Sequence, residues 1–152
     1  MANVKGIFHK ISYLQYVFIP VTLYYYTLFV ISLTKNDINW IPLNKVLIFV
    51  GIAISLSSLQ DTTTTQNKFS RKIWEHPKKG KYMLIYLSAM SFILITAGLI
   101  AYLFVHETIL QDVSFGLMML GIGILGLLKA AIEMYENHRL DKNPPKLENE
   151  IK

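Results

Sequence analysis

Residues 82–105 read YMLIYLSAMSFILITAGLIAYLFV, an apolar run from Tyr82 to Val105 without one charged side chain. A bilayer core about 30 Å thick takes about 20 apolar residues of helix to cross. The run meets that length and predicts a transmembrane helix. Three further runs lie outward from it: Ile41 to Leu59 and Ile11 to Leu33 before it, and Val113 to Leu128 after it. None of the four contains Asp, Glu or Arg, and Lys45 is the only Lys inside them. The first run is long enough as it stands. The second is long enough with Trp40 and Pro42 at the interface, and the fourth if its helix continues through Lys129 to Tyr135. The expected fold is an all-α membrane protein of four transmembrane helices in two hairpins, spanning about 11–33, 41–60, 82–105 and 113–135. Residues 1–142 form one domain, and 143–152 a short polar cytoplasmic tail.

Composition points the same way. The chain is 53% hydrophobic and 16% charged, against about 25% charged in soluble domains. Four spans and their loops occupy nearly all of the 152 residues. The net charge of +5 lies in segments flanking the spans, where anionic lipid headgroups, not nucleic acid, are the nearer partner. With no cysteine, disulfides, thiolate metal sites and cysteine nucleophiles are excluded. Lys outnumbers Arg 13 to 2, and abundant Ile and Asn suit an AT-rich bacterial genome. The first run follows Lys5 and Lys10 but is long and lacks a small-x-small cleavage site, which predicts a retained signal-anchor.

Cytoplasmic loops are enriched in Lys and Arg. With a cytoplasmic amino terminus, the tails, the middle loop and the inner end of helix four hold 13 of the 15 basic residues, leaving only Lys35 and Lys45 outside. That predicts two inner termini in the cell membrane. Pro42 suits the first turn of helix two, Asp112 is a plausible cap for helix four, and Pro144 and Pro145 would stop that helix. Gly51-Ile-Ala-Ile54 aligns with Gly121-Ile-Gly-Ile124 at an offset of 70, a match that two apolar helices can show by chance.

Helix four is the most distinctive. Gly116, Gly123 and Ala130 recur every seven residues, and Gly126 is four before Ala130. Membrane helices associate by close packing that small residues permit. The strip is thus a packing face within the chain, or a face for a homodimer or larger membrane partner. Near the inner end of this helix, Lys129 and Glu133 share a face. Asp61, at the end of helix two, is the partner expected across the bundle, giving a buried polar cluster of Asp61, Lys129 and Glu133. Tyr24, Tyr25 and Tyr26 are about 100° apart in a helix, so at least one must point into the bundle.

The middle loop is basic. Phe69, Ile73 and Trp74 share a face at helical spacing, with Lys68, Arg71 and Lys72 away from it. That pattern predicts a short helix in the inner interface, with Lys68, Arg71, Lys72, Lys78, Lys79 and Lys81 contacting anionic lipid. The scattered His9, His76, His106 and His138 form neither a Glu-x-x-His nor a His-x-x-x-His pair, so no di-iron or zincin chemistry is signalled. No phosphate loop or nucleophile elbow occurs. No catalytic residue, cofactor or metal is expected. Two classes of function remain. One is a non-catalytic membrane protein acting by protein or lipid contact, such as an accessory subunit or a toxin-immunity protein. The other is a small transporter or channel subunit working as a homo-oligomer, against which stands the lack of ionisable residues in the centres of the spans.

Overall fold

A computed structural model describes residues 4–35, 38–60, 62, 68–105 and 108–143, with the side chains of 4, 5, 68, 69, 108 and 110 excepted. Among the described residues the chain is helical throughout: α1 (Val4–Ser12), α2 (Gln15–Thr34), α3 (Ile41–Ser57), α4 (Lys68–Trp74), α5 (Pro77–Phe104) and α6 (Thr108–His138). By length and composition, three stretches can cross a membrane: Gly6–Thr34, Pro77–Phe104 and Gln111–His138. The fourth, α3, has 17 residues. The architecture is compatible with an all-α membrane protein.

Helices and apolar runs do not coincide at every end. The first run is interrupted where Tyr13 and Leu14 donate to the carbonyls of Lys10 and Ile11 (3.2 and 3.0 Å), and α1 extends it towards the amino terminus. The second was expected to reach residue 60, but α3 ends at Ser57. There Leu59 and Gln60 tighten into bonds to Leu56 and Ser57 (both 3.1 Å), and the Ser58 hydroxyl donates to the Ser55 carbonyl (2.6 Å), since serine competes with regular helix bonding. Asp112 does not cap α6, which begins four residues earlier at Thr108. Pro42 does sit in the first turn of α3, where the Asn39 side chain accepts from the Ile41 amide (3.0 Å). At the far end of α6, the Asn143 amide group donates to the carbonyls of Glu136 and Asn137 (2.9 and 3.1 Å), satisfying groups that a helix end leaves open.

The four long helices pack in the order α2, α3, α6, α5. Two hairpins are antiparallel: Phe18 and Phe29 of α2 lie against Phe49 and Trp40 of α3, and Ser91 and Gly98 of α5 meet Gly121 and Ser114 of α6. The seam between hairpins is parallel, with Asn44 against Gly116 and Gly51 against Gly123. In consequence α1, the end of α3, α4, the start of α5 and the end of α6 gather at one end, here termed the basic end. Gly51 packs on α6 while Gly121, its counterpart in the sequence match, packs on α5; the two are not equivalent in space.

Candidate functional site

The strip of small residues on α6 lies against α3 of the same chain. A Cβ at Gly123 would stand 2.9 Å from the Cα and carbonyl carbon of Gly51, and one at Gly51 would stand 2.7 Å from the Met119 carbonyl carbon. This is backbone on backbone, which only glycine permits. Gly116 meets Asn44 and Leu47, and its amide donates to Asn44 Oδ1 at 2.7 Å. Gly126 is looser, with Ser58 Oγ 3.1 Å from a Cβ placed there, and Ala130 is buried. As a face for another chain, Gly116 and Gly123 are already occupied. Gly121 turns to α5, where the fully buried Ser91 donates to its carbonyl at 2.8 Å. Sequence reading missed Asn44 and Ser91. Their only signal was a polar side chain inside an apolar run, which calls for a partner without saying which.

Of the expected buried polar cluster, the described residues include Lys129 and Glu133, which pair on an exposed face. Lys129 Nζ lies 3.3 Å from Glu133 Oε1, but the two side chains are 82% and 48% exposed. Lys129 is six residues from Gly123, about 120° round the helix, so when the strip faces α3 the lysine faces outward. Thr62, beyond the end of α3, donates to Glu133 Oε2 at 3.3 Å. Asp61 lies outside the described residues.

The basic segment also differs from expectation. In α4, Trp74 is only 8% exposed and packs with Leu87, Ile124 and Ala131, joined by the half-buried Ile73. Ile73 and Trp74, the described part of the apolar face of this helix, therefore turn towards α5 and α6 of the same chain. The side chains of Lys68 and Phe69 are outside those described. Next to Trp74 is a cavity of about 250 Å³ whose polar wall is Ser57, Gln60, Thr62 and Ser70 and whose apolar wall includes Met83 and Met134. Ser70 donates to the Met134 sulfur at 3.4 Å.

Around this end the charges are partly paired. Arg71 donates to Glu75 at 2.5 Å, and that hydrogen bond raises the guanidinium pKa further. Arg139 grips both oxygens of Asp141 (2.9 and 2.7 Å) and lies 5.2 Å from the Tyr135 ring centre, while Lys142 pairs with Glu136. Tyr135 in turn donates to the Pro77 carbonyl at 3.1 Å, its ring filling the space beside Gly80. Leu140 donates through its amide to the Glu75 carbonyl at 3.1 Å. These contacts fasten the end of α6 to α4 and α5. Lys72, Lys78, Lys79 and Lys81 are exposed and make no ion pair among the described residues.

Of the three consecutive tyrosines, Tyr25 faces α3, with its ring 5.6 Å from that of Phe49 and 4.9 Å from Lys45 Nζ. Tyr24 and Tyr26 point outward. No residue of α2 is buried, and between α2 and α3 runs an open groove of about 390 Å³ reached by Gln15, Thr22 and Ser57. Among the described residues, no three His, Asp or Glu side chains converge as metal ligands would. No protein family matches this chain. Neither the curated proteins nor the solved structures contain a match to it.

Proposed function

We propose that this chain is a non-catalytic, multi-pass protein of a bacterial cell membrane, with both termini cytoplasmic, that acts through contact with lipid or with a larger membrane protein. An accessory or regulatory subunit and a toxin-immunity protein are both of this kind. The observation that carries the reading is α2: a 20-residue apolar helix with no buried residue, held along one side by α3. Two polar side chains in the long helices, Asn44 and Ser91, are taken up by the backbone at Gly116 and Gly121. What α2 presents outward is Tyr16, Leu23, Tyr24 and Val30, which offers a surface for apolar contact.

A photo-crosslinking residue at Leu23, compared with one at Phe104 on α5, tests this in native membranes. Adducts to one discrete protein from Leu23 alone support a binding role. Adducts at twice the chain's 17.5 kDa mass would favour a homo-oligomeric transporter or channel subunit. Topology is tested separately, with single cysteines at Asn36, Gln111 and Lys146. An impermeant maleimide applied to intact cells is expected to label the first two and spare the third; labelling at Lys146 would overturn the orientation.

A further inference from the structure

We infer that the outward face at the start of α5 is a binding site for one anionic phospholipid, with Lys78, Lys81 and the Tyr82 hydroxyl on its headgroup phosphate and Ile85, Ala89 and Phe92 along an acyl chain. The inference rests on the membrane-spanning reading above and narrows its lipid contacts to one place. On α5 the packed side is marked by Gly80, Leu87, Ser91 and Gly98, all buried. At about 100° per residue, Lys78, Lys81, Tyr82, Ile85, Ala89 and Phe92 fall on the opposite side, and all six are exposed. From Tyr82 to Phe92 is ten residues, or about 15 Å of helix, half of a 30 Å hydrocarbon core. The stripe thus has the length of one leaflet, with its charge at one end only.

The basic side chains described on α4 and α6 each lack one of these features. Arg71 and Lys129 each have a carboxylate beside them. Lys72 sits on α4, whose apolar side is turned into the protein. The other half of α5 exposes Leu99, Tyr102, Leu103 and Phe104, and no Lys or Arg occurs from Tyr82 to Leu128. Two cations one turn apart, beside a tyrosine and above an apolar stripe, complement a phosphate joined to a hydrocarbon chain. They suit a soluble anion less well, since the stripe would then go unused.

The experiment titrates the purified full chain in neutral detergent with phosphatidylglycerol or phosphatidylcholine and counts bound lipid by native mass spectrometry. Phosphatidylglycerol is expected to bind in preference. A lysine near an anionic headgroup contributes about fivefold, so Lys78→Gln with Lys81→Gln is expected to weaken binding about 30-fold. The charge-matched pair Lys72→Gln with Lys146→Gln is expected to change it less than threefold. Glycerol phosphate, a headgroup without chains, is expected not to compete. Equal loss in both double variants, retention of affinity in Lys78→Gln with Lys81→Gln, or competition by glycerol phosphate overturns the site. Carbonate washing of membranes separates this from the broader reading: release of the chain overturns membrane spanning itself, whereas retention with unchanged lipid binding overturns the site alone.

Discussion

Replacing Gly123 with alanine adds one methyl group where α6 and α3 touch backbone to backbone. The new Cβ would lie 2.9 Å from both Gly51 Cα and its carbonyl carbon, and closer still to the carbonyl oxygen. Neither neighbour is a flexible side chain, so the helices themselves must part. Overpacking of this kind costs about 1–3 kcal/mol. Alanine returns up to about 1 kcal/mol of helix propensity, and with that full return the net loss is up to about 2 kcal/mol. Gly126→Ala makes the internal control. Its Cβ would meet the Ser58 hydroxyl at 3.1 Å, with Ser55 Cα at 3.6 Å and Ser58 Cβ at 3.7 Å in ordinary contact, and the hydroxyl can yield a few tenths of an ångström. There the propensity gain is set against little, and the variant is expected to be neutral or stabilised by up to about 1 kcal/mol. Unfolding of the protein by sodium dodecyl sulfate in mixed micelles, followed by circular dichroism, measures both. A Gly123→Ala variant at least as stable as Gly126→Ala would refute the parallel glycine seam.

Three more perturbations probe the remaining contacts. Ser91→Ala removes the hydroxyl held by the Gly121 carbonyl and is expected to cost about 0.6 kcal/mol, the average for such bonds in membranes; a loss above about 2 kcal/mol by the same unfolding measurement would mean a wider network. Trp74→Ala empties the core cluster beneath α4, at a cost of about 3–5 kcal/mol, and is expected to speed trypsin cleavage at Arg71 and Lys72; an unchanged cleavage rate would show α4 to be undocked. Asp141 is held below the ordinary carboxylate range by its hydrogen bonds from Arg139. A depressed folded pKa means that its contribution is present at neutral pH and is lost as pH falls through that value. A spin label at Asn137 is therefore expected to gain mobility with a midpoint below the free Asp value of about 3.9, and Asp141→Asn to remove the step. A midpoint above that value would refute the assignment.

Much of the architecture was legible in the chain because a helix in lipid satisfies its own backbone, so run length alone signals the element. Local pairs were legible for the same reason of range. Lys129 and Glu133 are one turn apart, and they do meet. The recurrence of Gly116, Gly123 and Ala130 likewise showed that one side of α6 is smooth, since helical period is a local property. Destination was not legible. In a soluble protein an apolar side chain points inward, but between apolar helices and apolar lipid that preference vanishes. Outward and inward faces then look alike in sequence.

The same ambiguity governs α4. An amphipathic pattern of Phe69, Ile73 and Trp74 is the same whether its apolar side meets lipid or protein, and only the docked position of Trp74 on Leu87 and Ile124 distinguishes them. Residue type and spacing by themselves determined the long helices, the basic segment and the glycine period. The tertiary structure decided that the glycine strip meets α3, that Lys129 turns outward, and that Asn44 and Ser91 close on α6 backbone groups 72 and 30 residues away. Those contacts depend on the register between helices, which is set by shape at the seam and has no local signature in the chain.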